Sequence, residues 1–281
     1  MSGQLSHDDL ERLGLLGQVV NDLGMFSVAF VKLVERSGKE DMLLAGSGTL
    51  VQARGHFGIL TADHVLQNLP HDDVGLIFPT MGRESPHRVL VRADDSQKLH
   101  IGPASYSAAG PDLGLLLLQS SDIAKISSAS AFYNLVNRRE KVLAAPRDIR
   151  KGGWYLCGTP DEWRTESPSV RTFTKVKAFP GFCGAAPVTQ ERIGVDFDYL
   201  DVDIAVNGRY EGPLNFQGVS GGGLWQVVFE ERDGHVRIAE HLLSGVAFYQ
   251  QADDGQPHTV VCHGRRSIYA TLLSKFPPQA A

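Results

Sequence analysis

A chain of 281 residues, 42% of them hydrophobic, is long enough to bury a sizeable core, either in one unit of two barrels or in two small domains. The net charge is −5, and no Lys/Arg-rich stripe or basic patch with interleaved aromatic residues occurs, which argues against nucleic acid as a partner. No apolar stretch approaches the roughly 18 residues of a membrane-spanning helix, so a membrane partner is not expected either.

The first 24 residues predict a helical extension. Ser6, with Asp9 three positions later, resembles the start of a capped helix. Apolar residues then recur at helical spacing, at Leu10, Leu13, Leu16, Val20 and Leu23. This helix either packs on the protein's own surface or docks onto a partner protein. Residues 1–9 have neither the positive region nor the apolar region of a secretory signal, so a cytoplasmic protein is expected.

Residues 25–135 predict a first β-barrel. Short apolar segments recur there between turn signals such as Ser37-Gly38 and Arg54-Gly55. Six strands are predicted, at Phe26–Val31, Leu43–Val51, Phe57–Ala62, Val74–Phe78, Arg88–Arg92 and Leu113–Leu118. That number suits a small closed barrel.

The rest of the chain divides into three parts. Residues 136–151 are rich in charge and predict a linker. Residues 152–263 predict a second β-barrel, in which the acidic residues between Asp196 and Asp203 are expected on a solvated strand face. Residues 264–281 predict a C-terminal helix and tail, with an apolar face formed by Ile268, Leu272, Leu273 and Phe276.

The three cysteines, Cys157, Cys183 and Cys262, are widely spaced and include no C-x-x-C pair. Their odd number predicts reduced thiols rather than a disulfide framework, which agrees with a cytoplasmic protein. His258 and His263 lie near Cys262, but strand residues beside a turn are expected there rather than metal ligands. No metal and no organic cofactor is expected.

Three short strings, TADHV, PDLGL and GVSGG, contain residue types that can together activate a serine nucleophile. These residues are His64, Asp112 and Ser220. A serine hydroxyl is a poor nucleophile at neutral pH. It needs a base within hydrogen-bond reach, and the base needs a third group that fixes its tautomer. The order His, Asp, Ser along the chain is the order that these groups take in one family of hydrolases.

Each of these residues also has a plainer interpretation. His64 alone would be a surface or core histidine, and Asp112 would start a strand and face solvent. The glycines around Ser220 form either a flexible loop or an ordered turn, in which the N–H groups of Gly218 and Ser220 converge on an oxyanion. Because the glycine run leads straight into the apolar segment Leu224–Phe229, the ordered turn is favoured.

Together, these strings resemble those of the trypsin-like serine peptidases, and among them the compact bacterial and HtrA-like peptidase domains. Further similar strings are Gly46–Val51 before the histidine, Tyr155–Pro160 at the start of the second barrel, and Leu243–Tyr249 beside the substrate pocket. The resemblance implies an all-β fold of two antiparallel six-stranded β-barrels with the active site in the cleft between them. An N-terminal and a C-terminal helix would flank the barrels.

The resemblance also implies a serine endopeptidase that acts on proteins or peptides. Ser220 is then the nucleophile, His64 its base and Asp112 the group that orients the base, while Gly218 and Ser220 supply the oxyanion hole. The substrate pocket is assigned in the same way to Leu214, Phe248, Tyr249 and Gln250. Because none of these is acidic, an uncharged substrate side chain is expected in the pocket.

Three residues depart from the family's pattern. Val219 stands where trypsin-like zymogens carry an aspartate that pairs with a newly formed N-terminus, so that switch is not expected. Gly223 replaces a common proline, which predicts a looser loop. Asp63 stands beside His64, where a small residue is more usual, and its side chain is expected to be exposed.

Two other functions stay open. A catalytically weak or silent scaffold of the same fold would act as a protein-binding module. A hydrolase of small esters is the weaker alternative. For a peptidase without the zymogen switch, control by a regulatory partner protein is the working hypothesis.

Overall fold

The computed structural model describes residues 7–36, 39–70, 73–78, 87–92, 96–144, 153–168, 175–203, 213, 215–253 and 256–278. Most of this chain is β-structure, arranged mainly in two sheets. The fold is therefore broadly all-β, as the sequence predicts.

The first sheet contains eight strands. They are β1 (Ser27–Arg36), β2 (Lys39–Ala53), β3 (His56–Thr61), β4 (Asp73–Phe78), β5 (His87–Arg92), β6 (Gln97–Gly102), β7 (Leu113–Leu117) and β8 (Tyr133–Asn134). Antiparallel pairing gives the order β5-β4-β1-β2-β3-β7-β6, and β8 adds a short parallel pairing to β2. The six predicted strands correspond to β1–β5 and β7. The sequence missed β6, in which only Leu99 and Ile101 are apolar, and the two-residue β8.

The second half of the chain contributes nine strands. They are β9 (Gly153–Gly158), β10 (Thr165–Pro168), β11 (Lys175–Ala178), β12 (Phe182–Ala185), β13 (Val188–Ile193), β14 (Asp198–Asp203), β15 (Gly223–Arg232), β16 (His235–Asp253) and β17 (Gln256–His263). Strands β10 and β11 form a hairpin of their own. The other seven form an antiparallel sheet in the order β12-β9-β15-β16-β17-β14-β13.

Neither sheet is closed into a barrel by strand pairing among the described residues. The edge strands are β5 and β6 in the first sheet and β12 and β13 in the second, and each of them pairs with a single neighbour. The structure thus has mainly antiparallel sheets of eight and seven strands where the sequence predicts two barrels of six. The difference arises at short or polar strands, which bury few side chains and so leave a weak pattern in the sequence.

The two halves of the chain meet in a shared core around Trp225 of β15, which is fully buried. Its ring stacks on Phe26 at 5.3 Å between centroids and meets Tyr133 edge-on at 5.1 Å. Phe26 and Tyr133 come from the first half of the chain, so these aromatic contacts join the halves. Burial of such large apolar surfaces is the main favourable term in folding.

Helices occupy the chain ends and several connections. They are α1 (His7–Arg12), α2 (Leu15–Gly24), α3 (Asp63–Asn68), α4 (Ser120–Ser127), α5 (Leu135–Ala144) and α6 (Leu273–Lys275), which continues a π-helix over Ser267–Leu272. Among the described residues, no helix combines the length and the apolar character that crossing a membrane would require.

The sequence predicts the helical ends of the chain, but it did not predict α3, α4 or α5. The N-terminal segment forms two helices because Gly14 takes a left-handed conformation with φ 69° between them. The four apolar residues of the predicted C-terminal helix are all buried. Helix α5 begins at the last residue of the predicted first barrel and covers the first half of the predicted linker, and it buries Leu135 and Val142 in the core. These two buried positions are seven residues apart, and the charged residues between them make the apolar pattern of the helix weak. Residues 145–152 lie outside the described chain.

The N-terminal helices pack on the protein itself rather than standing free. Val19 and Leu23 of α2 are fully buried in the same cluster as Trp225. We therefore expect Leu23→Ala to lower the free energy of unfolding by about 2–5 kcal/mol, through lost apolar burial and the cavity left behind. Urea unfolding measures this change. Leu13→Ala is the matched control, because Leu13 is 45% exposed and should change stability by less than about 0.5 kcal/mol. Equal midpoints for the two variants would contradict the docking of α2.

Candidate active site

His64 and Asp112 are held together by two hydrogen bonds. Strand β3 ends at Thr61, and α3 begins at Asp63, so His64 lies in the first turn of that short helix. Its backbone N–H donates to Asp112 Oδ1 at 2.9 Å, and its ring Nδ1 lies 2.6 Å from Asp112 Oδ2. Because a carboxylate only accepts, the proton of a neutral His64 ring is on Nδ1. The other ring nitrogen, Nε2, is then left as the basic atom.

Asp112 is 2% exposed, which rules out the interpretation as a solvent-facing strand start. A buried carboxylate is costly unless it is paired and hydrogen-bonded, and the two bonds from His64 meet that requirement. The backbone of Asp112 is anchored as well, because its N–H donates to His263 Nε2 at 3.0 Å.

His263 is a supporting residue that the sequence did not assign to the site. It is fully buried at the end of β17, and its ring packs 4.6 Å from Phe248 and 5.2 Å from Tyr199 between centroids. Burial lowers the pKa of His263 to about 3. The ring is therefore neutral near pH 7, with Nε2 accepting from Asp112. Its Nδ1 faces the Ser267 hydroxyl at 3.4 Å.

Ser267 continues this network to Asp198, where the predicted solvated strand face is wrong. Asp198 is 4% exposed and accepts from the backbone N–H and the hydroxyl of Ser267, both at 2.7 Å, and from Arg266 N–H at 3.0 Å. Asp198 thus accepts from backbone N–H groups in the first turn of the C-terminal helix, which have no partner within the helix, and these bonds explain why its carboxylate is buried. The alternation of acidic and apolar residues could not reveal a partner 69 positions away.

The loop of Ser220 is ordered by hydrogen bonds to the first sheet. Ser47 of β2 donates from its N–H to Ser220 O at 2.8 Å, and its hydroxyl donates to Gly218 O at 2.7 Å. Gly221 has φ 91°, and a Cβ there would lie only 2.0 Å from Ser47 O. Only glycine satisfies both the left-handed backbone and the close approach. The plain flexible-loop interpretation is therefore not supported.

Gly46 shows how near the Ser220 loop lies to the histidine. A Cβ on Gly46 would lie 2.6 Å from Val65 Cγ2 and 3.2 Å from Ser220 O. The residue after His64 and the carbonyl of Ser220 therefore flank the same glycine. Within the described chain, however, the Ser220 hydroxyl makes no hydrogen bond to His64. Such bonds are often long without substrate and tighten only in the reacting complex.

Two backbone N–H groups of this loop have no acceptor among the described residues, namely those of Gly218 and Ser220. Their neighbours are bonded: Val219 N–H donates to Phe216 O at 3.0 Å, and Gly221 N–H donates to Ala247 O at 2.7 Å. The two free donors are the pair that the sequence assigns to an oxyanion hole.

The predicted pocket residues have different environments. Leu214 lies outside the described residues. Phe248 is buried and packs on His263, whereas Tyr249 is half-buried. Gln250 accepts from Phe216 N–H through Oε1 at 3.0 Å, so its side chain is tied to the loop that leads to Ser220.

Two departures from the family's pattern behave differently from expectation. Asp63 is fully buried rather than exposed, and its carboxylate accepts from Gln67 Nε2 at 2.6 Å and Ala104 N–H at 3.0 Å. It also lies 2.5 Å from His100 Nδ1. Gly223 begins β15 rather than lying in the loop, and a Cβ there would lie 2.6 Å from Trp225 Nε1. Both residues serve packing that the local sequence could not show.

The described residues contain no group of three or more His, Cys, Asp or Glu side chains arranged to hold a metal ion. Cys262 and His263 are instead buried at the end of β17.

No protein-family model and no curated protein matches the chain. Among solved structures, the chain is similar to one from work on how aromatic interactions drive the coupled folding and binding of the intrinsically disordered Sesbania mosaic virus VPg protein. The identity is 13%, the TM-score is 0.44, and the match covers 90% of this chain and 92% of that chain.

The buried, neutral His263 makes stability depend on pH in a defined direction. Its pKa in the folded protein is about 3, against an ordinary value of 6.5, so below about pH 6.5 the unfolded chain binds a proton that the folded protein does not. Its contribution to stability is complete above about pH 6.5. The free energy of unfolding should then fall by up to about 1.4 kcal/mol per pH unit on acidification.

The matched variant is His263→Gln, whose amide oxygen can accept from Asp112 N–H but does not titrate. Urea unfolding at several values between about pH 7 and 4.5 should show a shallower pH dependence for this variant than for the native chain. The same slope in both proteins would contradict a neutral, buried His263.

Proposed function

We propose that this chain is a trypsin-like serine endopeptidase that uses His64, Asp112 and Ser220 as its catalytic triad. The observation that carries the proposal is the pair of hydrogen bonds between His64 and Asp112. The Ser220 loop lies close to this pair, because it is hydrogen-bonded to Ser47 and approaches Gly46, which also contacts the residue after His64. Two antiparallel sheets that meet at these residues are compatible with the two-barrel architecture of that family. No cofactor has a role in this mechanism.

The geometry supports the following division of roles. His64 Nε2 takes the proton of the Ser220 hydroxyl as Oγ attacks the scissile carbonyl, and His64 later gives that proton to the leaving amine. Asp112 keeps the imidazole in the Nδ1–H tautomer and stabilises the imidazolium. The N–H groups of Gly218 and Ser220 bind the oxyanion, where each such donor contributes about 100- to 1000-fold in rate.

The first test asks whether the three residues act as a unit. Ser220→Ala and His64→Ala should each remove most peptidase activity, up to about a millionfold, and the double variant should be little worse. Labelling by a fluorophosphonate probe should be lost in Ser220→Ala and strongly reduced in His64→Ala. Ser128→Ala is the matched control, because Ser128 is exposed in the turn after α4, and it should label like the native chain. Additive losses in the double variant would contradict a shared mechanism.

The alternative of a catalytically silent protein-binding module is favoured by one observation, the absence of a hydrogen bond between the Ser220 hydroxyl and His64 in the described chain. The same probe separates the two functions. A folded native chain that does not label would favour the binding module. Turnover of small esters without peptide cleavage would favour the ester hydrolase.

The second test concerns the substrate side chain before the cut. Two aspartates that precede the predicted pocket in the chain do not offer a free negative charge, since Asp201 is paired with Arg192 at 2.8 Å and Asp203 also has a partner. Gln250 is uncharged, and its amide is already bonded. An Arg or Lys side chain would then be buried without a counter-charge, which is costly.

We therefore expect cleavage after small or medium uncharged residues. Profiling of cleavage sites in a peptide mixture measures this preference, and Ser220→Ala serves as the inactive control. A dominant Arg or Lys before the cut would overturn the expectation.

A further inference from the structure

The two cysteines of β9 and β12 lie opposite each other, although 26 positions separate them in the chain. Cys157 and Cys183 are direct partners in the antiparallel register of these strands, and their Sγ atoms are 3.1 Å apart. Directly opposed residues of an antiparallel pair have Cα atoms about 4.5–5.5 Å apart, which falls within the range that a disulfide spans. Both cysteines are free thiols in this structure.

We propose that Cys157 and Cys183 are a thiol pair that a hydroperoxide converts into a disulfide. The bond would fasten the edge strand β12 to β9 and close the intervening segment into a loop. The proposal concerns these two residues and does not depend on the function proposed above.

The exposure of the two thiols determines the order of the chemistry. Cys183 is partly exposed, whereas Cys157 is fully buried. Burial raises the pKa of Cys157, and the neighbouring Cys183 raises it further, so Cys157 stays protonated at neutral pH. Because the thiolate is the reactive form, an oxidant in solvent reacts first at Cys183.

The reaction then balances in two steps. The Cys183 thiolate attacks one oxygen of hydrogen peroxide, the O–O bond breaks, and the sulfur becomes a sulfenic acid as hydroxide leaves. Cys157 Sγ next displaces the hydroxyl group from Cys183 Sγ, and the thiol proton leaves with that hydroxyl as water. The high pKa of Cys157 slows this second step, but the fixed 3.1 Å approach compensates by making it intramolecular.

The segment that the bond would close supports the loop of Ser220. It contains a short 3₁₀ helix, Asp161–Trp163, from which Asp161 N–H donates to Gln217 O at 2.8 Å. Glu162 accepts from Asn215 N–H at 3.0 Å. Phe182 of β12 packs edge-on against Phe216 at 5.6 Å between centroids.

Strand β12 pairs with β9 alone among the described strands. Its attachment to the sheet therefore rests on few hydrogen bonds, and a covalent bond at Cys183 would restrain the whole segment. Closing a loop of this length removes freedom mainly from the unfolded chain.

The experiment counts thiols before and after oxidation. The purified chain is treated with hydrogen peroxide, denatured, and reacted with a mass-tagged alkylating reagent. The native protein has three cysteines and should change from three tags to one, with the remaining tag on Cys262, and a dithiol reductant should restore all three. The melting temperature of the oxidised protein should rise by roughly 5–10 °C.

Two variants provide the controls. Cys183→Ser should carry two tags before and after oxidation and show no rise in melting temperature. Cys262→Ala removes the cysteine outside the pair and should change from two tags to none. Three tags after oxidation, a disulfide between two chains, or oxidation of Cys183 alone to sulfinic acid would overturn the pairing. A disulfide within the chain that leaves the melting temperature unchanged would overturn the expected stabilisation.

Discussion

Ser47 makes the hydrogen bonds on which the arrangement of the candidate site depends. It is fully buried in β2, and its N–H and hydroxyl donate to Ser220 O and Gly218 O. The same hydroxyl accepts from Thr159 N–H at 2.8 Å, and its carbonyl accepts from Thr61 Oγ1 at 2.7 Å. One residue of the first sheet is thus bonded to the strand that precedes His64, to the chain after β9 and to the Ser220 loop. Removal of its hydroxyl would take away the partner of the half-buried Gly218 carbonyl and would leave the buried Thr159 N–H without an acceptor, which is costly.

Buried carboxylates explain why several polar residues lie where apolar ones would be expected. Asp63, Asp112 and Asp198 are almost completely buried, and each accepts at least two hydrogen bonds. A charge is tolerated in such a place only when its lone pairs are satisfied. His263 shows the opposite solution, because it stays neutral and accepts a hydrogen bond instead of carrying a charge. Hydrogen bonds from Asp112 to His263, from His263 to Ser267 and from Ser267 to Asp198 thereby connect the start of β7, β17, the C-terminal helix and β14.

Much of the fold could be predicted from local pattern, and the exceptions share a cause. Strand β7 is a continuous apolar run that is buried throughout, so its pattern was strong. Strand β6 and helix α5 are each buried on one side only, and their polar residues weaken the apolar pattern from which they could have been predicted. Candidate residues were predicted where short strings combine reactive side chains with glycine, as at Ser220. Ser47, His263 and the Asp63–His100 pair were missed because their partners lie far away along the chain.

By itself, the sequence determined the broad β character, the positions of six of the eight strands in the first sheet and the residues of a candidate triad, because these depend on local spacing and residue type. Only the tertiary structure decided that His64 and Asp112 are bonded, that Asp63 and Asp198 are buried, and that Cys157 faces Cys183. Strand register brings together residues that are distant in the chain, and periodicity within one segment does not specify its partner strand. The burial of a charge likewise depends on which donors the fold brings to it.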